Sequence, residues 1–379
     1  MAGIADFIAP LYKGLETFNR EMIGFIPSVS LDADVARCSL QEEVTSPVAS
    51  AGSIVDLTEA SWKDYAPSDD GGVDNVKVVM EKQQVIRIAL NGDDTRALSN
   101  SGTYDMIMQG KIQDAFRKLA NALESYVAGK AVAGACRAVG TAGTTPFGTA
   151  ADMTDFASLA QILDDNGCPQ EDRNIVLSST AMANLRGKQT ILLKTNEAGT
   201  DEFLRNGYTN PVLGFKLWNS AGLKKHATGA TGAVTVSGVT ADGIGNKVNL
   251  TTADSKSAVA GDVVTFDGVN YVVNEAEATN IKIARPGLVT SVTTGTATPT
   301  ADYLPSVAFQ KNAIVLATRQ ISDPAGGDGA DEQYTLVDPL SGIAFDVRLY
   351  RMYHKAFLEI GLAYGGKVVK GDNVALLLG

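Results

Sequence analysis

Along the first two dozen residues the apolar positions fall three and four apart, at Ile4, Phe7, Ile8, Leu11, Leu15, Phe18, Met22 and Ile23. This spacing predicts an amphipathic helical segment over residues 2–24. Pro10 lies inside it. A proline removes a ladder bond and kinks or restarts a helix, so two short helices or one bent segment are expected. The apolar face needs a covering surface, and a terminal arm often finds one on a neighbouring subunit. From residue 47 to 94 the period shortens to two. Strands are expected over residues 53–57, 76–79 and 85–90, with the polar, glycine-rich APSDDGGVDN (residues 66–75) between the first two. The pattern reads as a long hairpin projecting from a body.

Helical spacing returns with Ile112, Phe116, Leu119, Leu123 and Val127 and continues through Ala131 to Ala135. With no proline from residue 103 to 139, a helix of about 55 Å is predicted, at 1.5 Å per residue. Its second half, AGKAVAGACRAVG, is rich in small residues, so another backbone can approach closely and the helix becomes a packing spine. The heptad repeat is too poor for a coiled coil. GTAGTTPFGTA (residues 140–150) is a loop.

Residues 152–205 alternate helix and strand. Thr154 or Asp155 is placed to cap a helix carrying Phe156, Leu159, Ile162 and Leu163, which should stop at Asn166-Gly167. A buried strand over 174–177 follows, then a helix over 180–186 capped by Ser179 and ended by Gly187. Between residues 228 and 300 Val, Thr, Gly and Ser dominate. VTVSGV, KVNLTTA, DVVTFDGVNYVV, NIKIA and LVTSVTT predict five or six short strands, the pattern of a small barrel or sandwich inserted into the body. A helical and mixed pattern resumes over 306–319, and strands are expected over 334–337, 343–350 and 356–364.

Composition narrows the function. The chain has 379 residues, 45% hydrophobic and 20% charged, which is globular and long enough for one large domain or two to three ordinary ones. Its net charge of −11 is a poor footprint for gripping a phosphate backbone, so sequence-specific nucleic-acid binding is not expected. No apolar run reaches about 18 residues and the start carries no secretion pattern, so no membrane association and a cytoplasmic site of synthesis are expected. Cys38, Cys136 and Cys168 are odd in number and widely spaced, and are expected as buried free thiols.

Candidate chemistry is sparse. Only His226 and His354 are present, without HExxH or paired cysteines, so no metal site is expected, and His354 is read as a strand-face or interface residue. Asp69, Asp70 and Asp74 lack the spacing and closing Glu of a calcium loop and read as a solvated turn. There is no GxSxG elbow, and no Gly-Lys pair is followed by Ser or Thr. Gly243-Ile-Gly245 lacks the third glycine of a dinucleotide fingerprint and is read as a hairpin turn. No cofactor and no enzymatic activity are expected.

The order of parts resembles the major capsid protein of tailed bacteriophages with the HK97 fold, and within it the P22 coat protein-like family. The residues that carry the match are KLANALESYVAGKAVAGA (118–135), NGYTNPVLGFKLWNSAGL (206–223), VTVSGV (234–239), AGDVVTFDGVNYVV (260–273) and YLPSVAFQKNAIVLATRQI (303–321). The resemblance implies an α+β capsid fold with an N-terminal arm (1–46) and an extended hairpin (47–100). A peripheral domain with the spine helix (101–150 and 334–379), an axial domain (151–227 and 301–333) and an inserted β-barrel (228–300) complete it. It also implies a homo-oligomer of hexamers and pentamers forming an icosahedral shell around double-stranded DNA, in a virion capsid assembled in the host cytoplasm. Scaffolding and portal proteins are the implied partners, with a decoration protein optional. The barrel is shorter than expected around 240–247, so a cross-two-fold loop contact is not carried over, and no covalent Lys–Asn link is predicted.

A shell subunit needs a stiff body and pliable extensions. A lone hairpin exposes edges, so this one should be ordered by lying across a neighbour. Trp62, Lys63, Tyr65, Lys82 and Arg87 are the inter-subunit contact candidates, against the plain alternative of solvated loop charges. A net negative lining limits sticking of packaged DNA. Two other readings are an encapsulin-like nanocompartment shell and a β-rich surface or adhesion protein.

Overall fold

The long apolar stripe from Ile112 to Val127 forms helix α2, if the N-terminal helix is counted α1 (Ile4–Glu21) and the spine α2 (Tyr104–Ala133). In this computed structural model the described residues are 4–21, 24–32, 43–49, 73–92, 96, 104–150, 152–188, 211–241, 248–255, 257–290, 294–323, 329–339, 341–353 and 355–379. At 30 residues α2 is about 45 Å long, shorter than the predicted 55 Å. It ends because the small-residue tail serves a different purpose. A side chain at Gly134 would start 2.4 Å from Val368, and Arg137–Val139 is drawn out as strand β5, parallel to β19 (Val374–Leu377).

Helix α1 is one helix with Pro10 inside it, not two. Packing outweighs the lost ladder bond, as it commonly does in an amphipathic helix. Phe7, Leu11 and Leu15 are buried in the same core as Ile112 and Phe116 of α2, so the face predicted to seek a neighbour is covered by the chain's own spine. Gly14 allows the close approach: a Cβ there would lie 2.7 Å from the Phe116 ring and 2.9 Å from Ile112.

These helices cover one face of a sheet. Its centre is β18 (Lys355–Val368), flanked by β4 (Lys82–Asn91) on one side and by β17 (Ala344–Met352) and β15 (Ile314–Arg319) on the other. β16 (Glu332–Val337) extends it beyond β17, and β1 (Ser30–Asp32) adds in parallel to β15. Phe345, Val347, Leu358 and Ile360 are buried in the core shared with the helices, with Phe345 meeting Phe116 edge to face at 5.3 Å between centroids. The hairpin is therefore differently built than predicted. Residues 85–90 belong to this body sheet, and the hairpin consists of β2 (Glu43–Ala49) paired with β3 (Val73–Val79). The expected strand at 53–57 and most of the tip lie outside the described residues.

A second core lies under helices α3 (Thr154–Asp165) and α4 (Ser179–Lys188) and the strands β6 (Arg173–Leu177), β7 (Lys216–Asn219), β14 (Ser306–Gln310), β19 and β5. The caps shift by a residue or more from their predicted places. Asp152 accepts the Thr154 amide at 2.9 Å, Asp155 instead accepts the Phe147 amide at 2.7 Å, and Ser178 rather than Ser179 accepts from Ala181. The stretch 306–319 is not helical. It is β14 and β15 joined by a short 3₁₀ turn, because SVAFQ and IVLATR are apolar runs buried as strands, and periodicity alone does not separate these from buried helix.

Strands β8 (Val234–Ala241), β9 (Val248–Thr252), β10 (Val263–Phe266), β11 (Val269–Ala276), β12 (Asn280–Ile283) and β13 (Gly295–Pro299) form a closed ring in the order β10-β13-β8-β9-β12-β11, with β11 returning to β10. LVTSVTT is not a strand among the described residues; β13, just after it, closes the ring instead. Val234, Val236, Leu250, Phe266, Tyr271, Ile281 and Ile283 fill the interior. Gly243 to Gly245 lie outside the described residues. The barrel is also sewn into the body. Tyr271 of β11 pairs with Arg137 of β5, and Val263 and Val272 join the main core alongside Val132.

Candidate assembly surfaces and their anchors

Of the five contact candidates, Trp62, Lys63 and Tyr65 lie outside the described residues, while Lys82 and Arg87 stand on β4. Arg87 lies on the sheet face turned away from the helices, 65% exposed, with Nε 2.7 Å from Glu359 Oε2 and its guanidinium 5.6 Å from the centre of the Phe357 ring. Phe357 stacks on Tyr350 at 4.9 Å. Met352, the last residue of β17, and Tyr353, in the turn beyond it, are 66% and 89% exposed. Aromatic and arginine side chains of this kind are the residues most often found at the energetic centre of protein interfaces. Lys82 is placed apart from these, its ammonium 5.4 Å from the ring centre of Tyr126 on α2.

The root of the hairpin is a tight junction. Only Met80 and Glu81 separate β3, which pairs in the hairpin, from β4, which pairs in the body. Glu81 accepts hydrogen bonds from the Tyr126 hydroxyl at 2.9 Å and from Lys130 Nζ at 2.6 Å. Val78 and Met80 are fully buried with Ala317 and Ala363.

Two further polar anchors hold the extensions. Glu124, on the buried side of α2, accepts from the amides of Phe25 and Ile26 at 2.9 and 3.1 Å and from the Ser220 hydroxyl at 3.2 Å. Burial raises its pKa above the ordinary carboxylate value, outweighing these hydrogen bonds. At the neck of the barrel Asp262 is fully buried. It receives His226 Nε2 at 2.8 Å and the amides of Gly229, Ala230 and Val259 at 3.0–3.2 Å. Burial pushes its pKa up, but His226 and the three amides overcome this and leave it below the ordinary value. His226 also pairs with Tyr303 through the backbone, tying the strand that enters the barrel to the one that leaves it.

None of these anchors was singled out from sequence. Glu124 carried a signal, a carboxylate beside the apolar stripe 116–119–123–127, and so did the paired glycines 365–366 within an apolar strand. Asp262 carried none, because three of its four partners, His226, Gly229 and Ala230, lie more than 30 residues before it in the chain. His354 and Cys38 lie outside the described residues. Cys136 and Cys168 are buried free thiols; burial pushes Cys136 up to about 11. Among the described residues no three His, Cys, Asp or Glu side chains are grouped to hold a metal ion, and no helix is long and apolar enough to cross a membrane.

The fold is shared with virion structures. The chain superposes on one in the capsid structure of the cyanophage P-SCSP1u with a TM-score of 0.52 and 13% identity, covering 94% of this chain and 88% of that one. A structure from Mycobacterium phage Che8 matches with a TM-score of 0.51 and 14% identity, covering 94% and 91%. No family model matches the chain, and no curated protein matches it in sequence. The likeness to phage capsid proteins read from the sequence thus holds at the level of the fold.

Proposed function

We propose that this chain is a major capsid protein of the HK97 fold, of the P22 coat protein-like kind, and that it assembles into the icosahedral shell of a tailed phage. The observation that carries this reading is the likeness, over 94% of the chain, to a chain in the cyanophage capsid structure. In this assignment residues 1–46 are the arm, and of the 47–100 expected as the extended hairpin, β3 (Val73–Val79) pairs with β2 in the hairpin, while β4 (Lys82–Asn91) belongs to the body sheet. The spine helix with 334–379 makes the peripheral domain, residues 151–227 with 301–333 the axial domain, and 228–300 the inserted barrel. The role is structural rather than enzymatic. Hexamers and pentamers enclose double-stranded DNA without sequence-specific contact, which the net charge of −11 favours. Assembly takes place in the host cytoplasm with a scaffolding protein and a portal.

Trp62, Lys63, Tyr65 and Arg87 are retained as inter-subunit contacts, Arg87 with the Tyr350–Phe357 stack beside it. Lys82 is retained with them, although its observed neighbour is Tyr126 of the same chain. Expression with and without the neighbouring genes, followed by light scattering and electron microscopy, tests the reading. Closed particles support it. Particles loaded with an enzyme rather than DNA would redirect it to a nanocompartment.

A further inference from the structure

The hairpin can only overlap a neighbour productively if it leaves the body at a defined angle, and the residues at its root are arranged to define one. β3 changes sheets within two residues. Met80 is sunk into a small core, and the Val79 carbonyl passes over Gly365 of β18 so closely that a Cβ at that position would lie 2.0 Å from it. Any side chain at residue 365 would push β3 off the body. On the other side Glu81 is held by two residues of the spine helix, Tyr126 and Lys130, one turn apart. The Tyr126 hydroxyl also accepts the Gly366 amide at 3.1 Å, so one phenol joins helix, junction and β18. Its ring packs edge to face on Tyr364 at 5.0 Å, with the ammonium groups of Lys82 and Lys130 5.4 and 5.6 Å from its centre. Tyr364 in turn donates to the Gln84 side chain, near the start of strand β4, at 2.9 Å. Lys367 donates to the Lys77 carbonyl at 3.2 Å, two residues before the Val79 carbonyl that crosses Gly365.

We propose that Glu81, gripped by Tyr126 and Lys130, and Gly365, which admits the crossing strand, are positioning residues that set the bearing of the β2–β3 hairpin on the spine helix, and so the angle at which one subunit overlaps the next. The second half rests on the shell-forming reading; the first does not. The buried crossing fixes where the hairpin leaves. The half-exposed Glu81 grip fixes its tilt, and because a pair of this kind is worth little in isolation, it steers rather than holds the fold together.

The test uses the full chain with Cys38 replaced by serine and spin labels at Thr45→Cys on β2 and Lys118→Cys on α2, read by pulsed dipolar spectroscopy. Glu81→Gln, Tyr126→Phe and Lys130→Met are expected to broaden or shift the distance distribution while the unfolding midpoint stays near that of the parent, and Lys130→Arg to restore it. Amide exchange at Gly366 should rise about tenfold in Tyr126→Phe, the equivalent of one lost hydrogen bond. Unlabelled Glu81→Gln should yield fewer closed particles and more open or misshapen ones. Unchanged distance distributions in all three variants would overturn the positioning role. Shifted distributions with normal particles would overturn its link to assembly, and failure of the parent chain to form particles at all would count against the shell reading alone.

Discussion

Replacing Glu124 with alanine removes the acceptor that meets the first amides of the turn over residues 24–29. That turn is otherwise held by the Ser28 and Val29 amides on the Phe25 carbonyl and by the stacking of Phe25 on Phe309 at 5.8 Å. Two buried N–H groups and the Ser220 hydroxyl lose their partner, and with roughly 1–3 kcal/mol for each buried group left unmade, of which the hydroxyl can recover part, the loss is about 3–5 kcal/mol. Glutamine keeps one acceptor oxygen but turns an NH₂ toward an N–H donor, so Glu124→Gln should cost about 1–2 kcal/mol. A chain of this size need not unfold in one step, so the assay is native-state hydrogen exchange at Phe25 and Ile26, which reads local opening directly.

The pH dependence has a definite sign. Because burial raises the folded pKa of Glu124, the folded state binds the proton more readily than the opened one. The stabilising contribution is full below the ordinary carboxylate value and is lost as pH rises through the folded pKa. The protected amides of the parent should therefore open more readily as pH rises through that window, relative to Glu124→Gln, in which position 124 no longer titrates. Equal protection in parent and alanine variant, or a parent that tightens relative to glutamine with rising pH, would refute the reasoning.

Three other outcomes are expected. Gly14→Ala should destabilise by about 1–3 kcal/mol despite the helix-propensity gain of about 1 kcal/mol, because Phe116 is locked against Phe345; a stabilised variant would mean that α1 sits more loosely on α2. Asp262→Asn should cost about 2–4 kcal/mol near neutral pH, and the gap should close as pH falls through the depressed pKa of Asp262, since its contribution is present above the ordinary carboxylate value and lost below. Excision of residues 228–300 should lower the yield of folded body, measured as protease-resistant protein, because β11 pairs with β5 and Val263 and Val272 complete the main core; an unaltered yield would show that the barrel is dispensable to it.

The elements that could be read from sequence are those whose pattern is local. The stripe of α2, the cap region and Asn166-Gly167 stop of α3, and the short Val- and Thr-rich strands of the barrel all announce themselves within a dozen residues. What could not be read depends on distant partners. Residues 85–90 look like a hairpin strand until β18 is there to claim them, and 306–319 contains apolar runs that fit a buried helix or a buried strand equally well. Pro10 leaves two short helices and one bent segment equally open until the face around it is seen packed on Phe116. The anchors follow the same rule: Glu81 and Asp262 look like surface carboxylates until Tyr126 and Lys130, and His226, are brought to them, and Glu124, though its place beside the apolar stripe marks it as unusual, gains a role only with the amides of Phe25 and Ile26.

Assembly is the central claim, and its most direct measurement is electron cryomicroscopy of the soluble fraction after expression of the chain, alone and with the genes beside its own. The account predicts closed icosahedral particles, or capsomer rings that close when a scaffolding protein is present, with the β2–β3 hairpin of each subunit lying across its neighbour. A stable monomer or dimer under every condition, co-expression included, would contradict it.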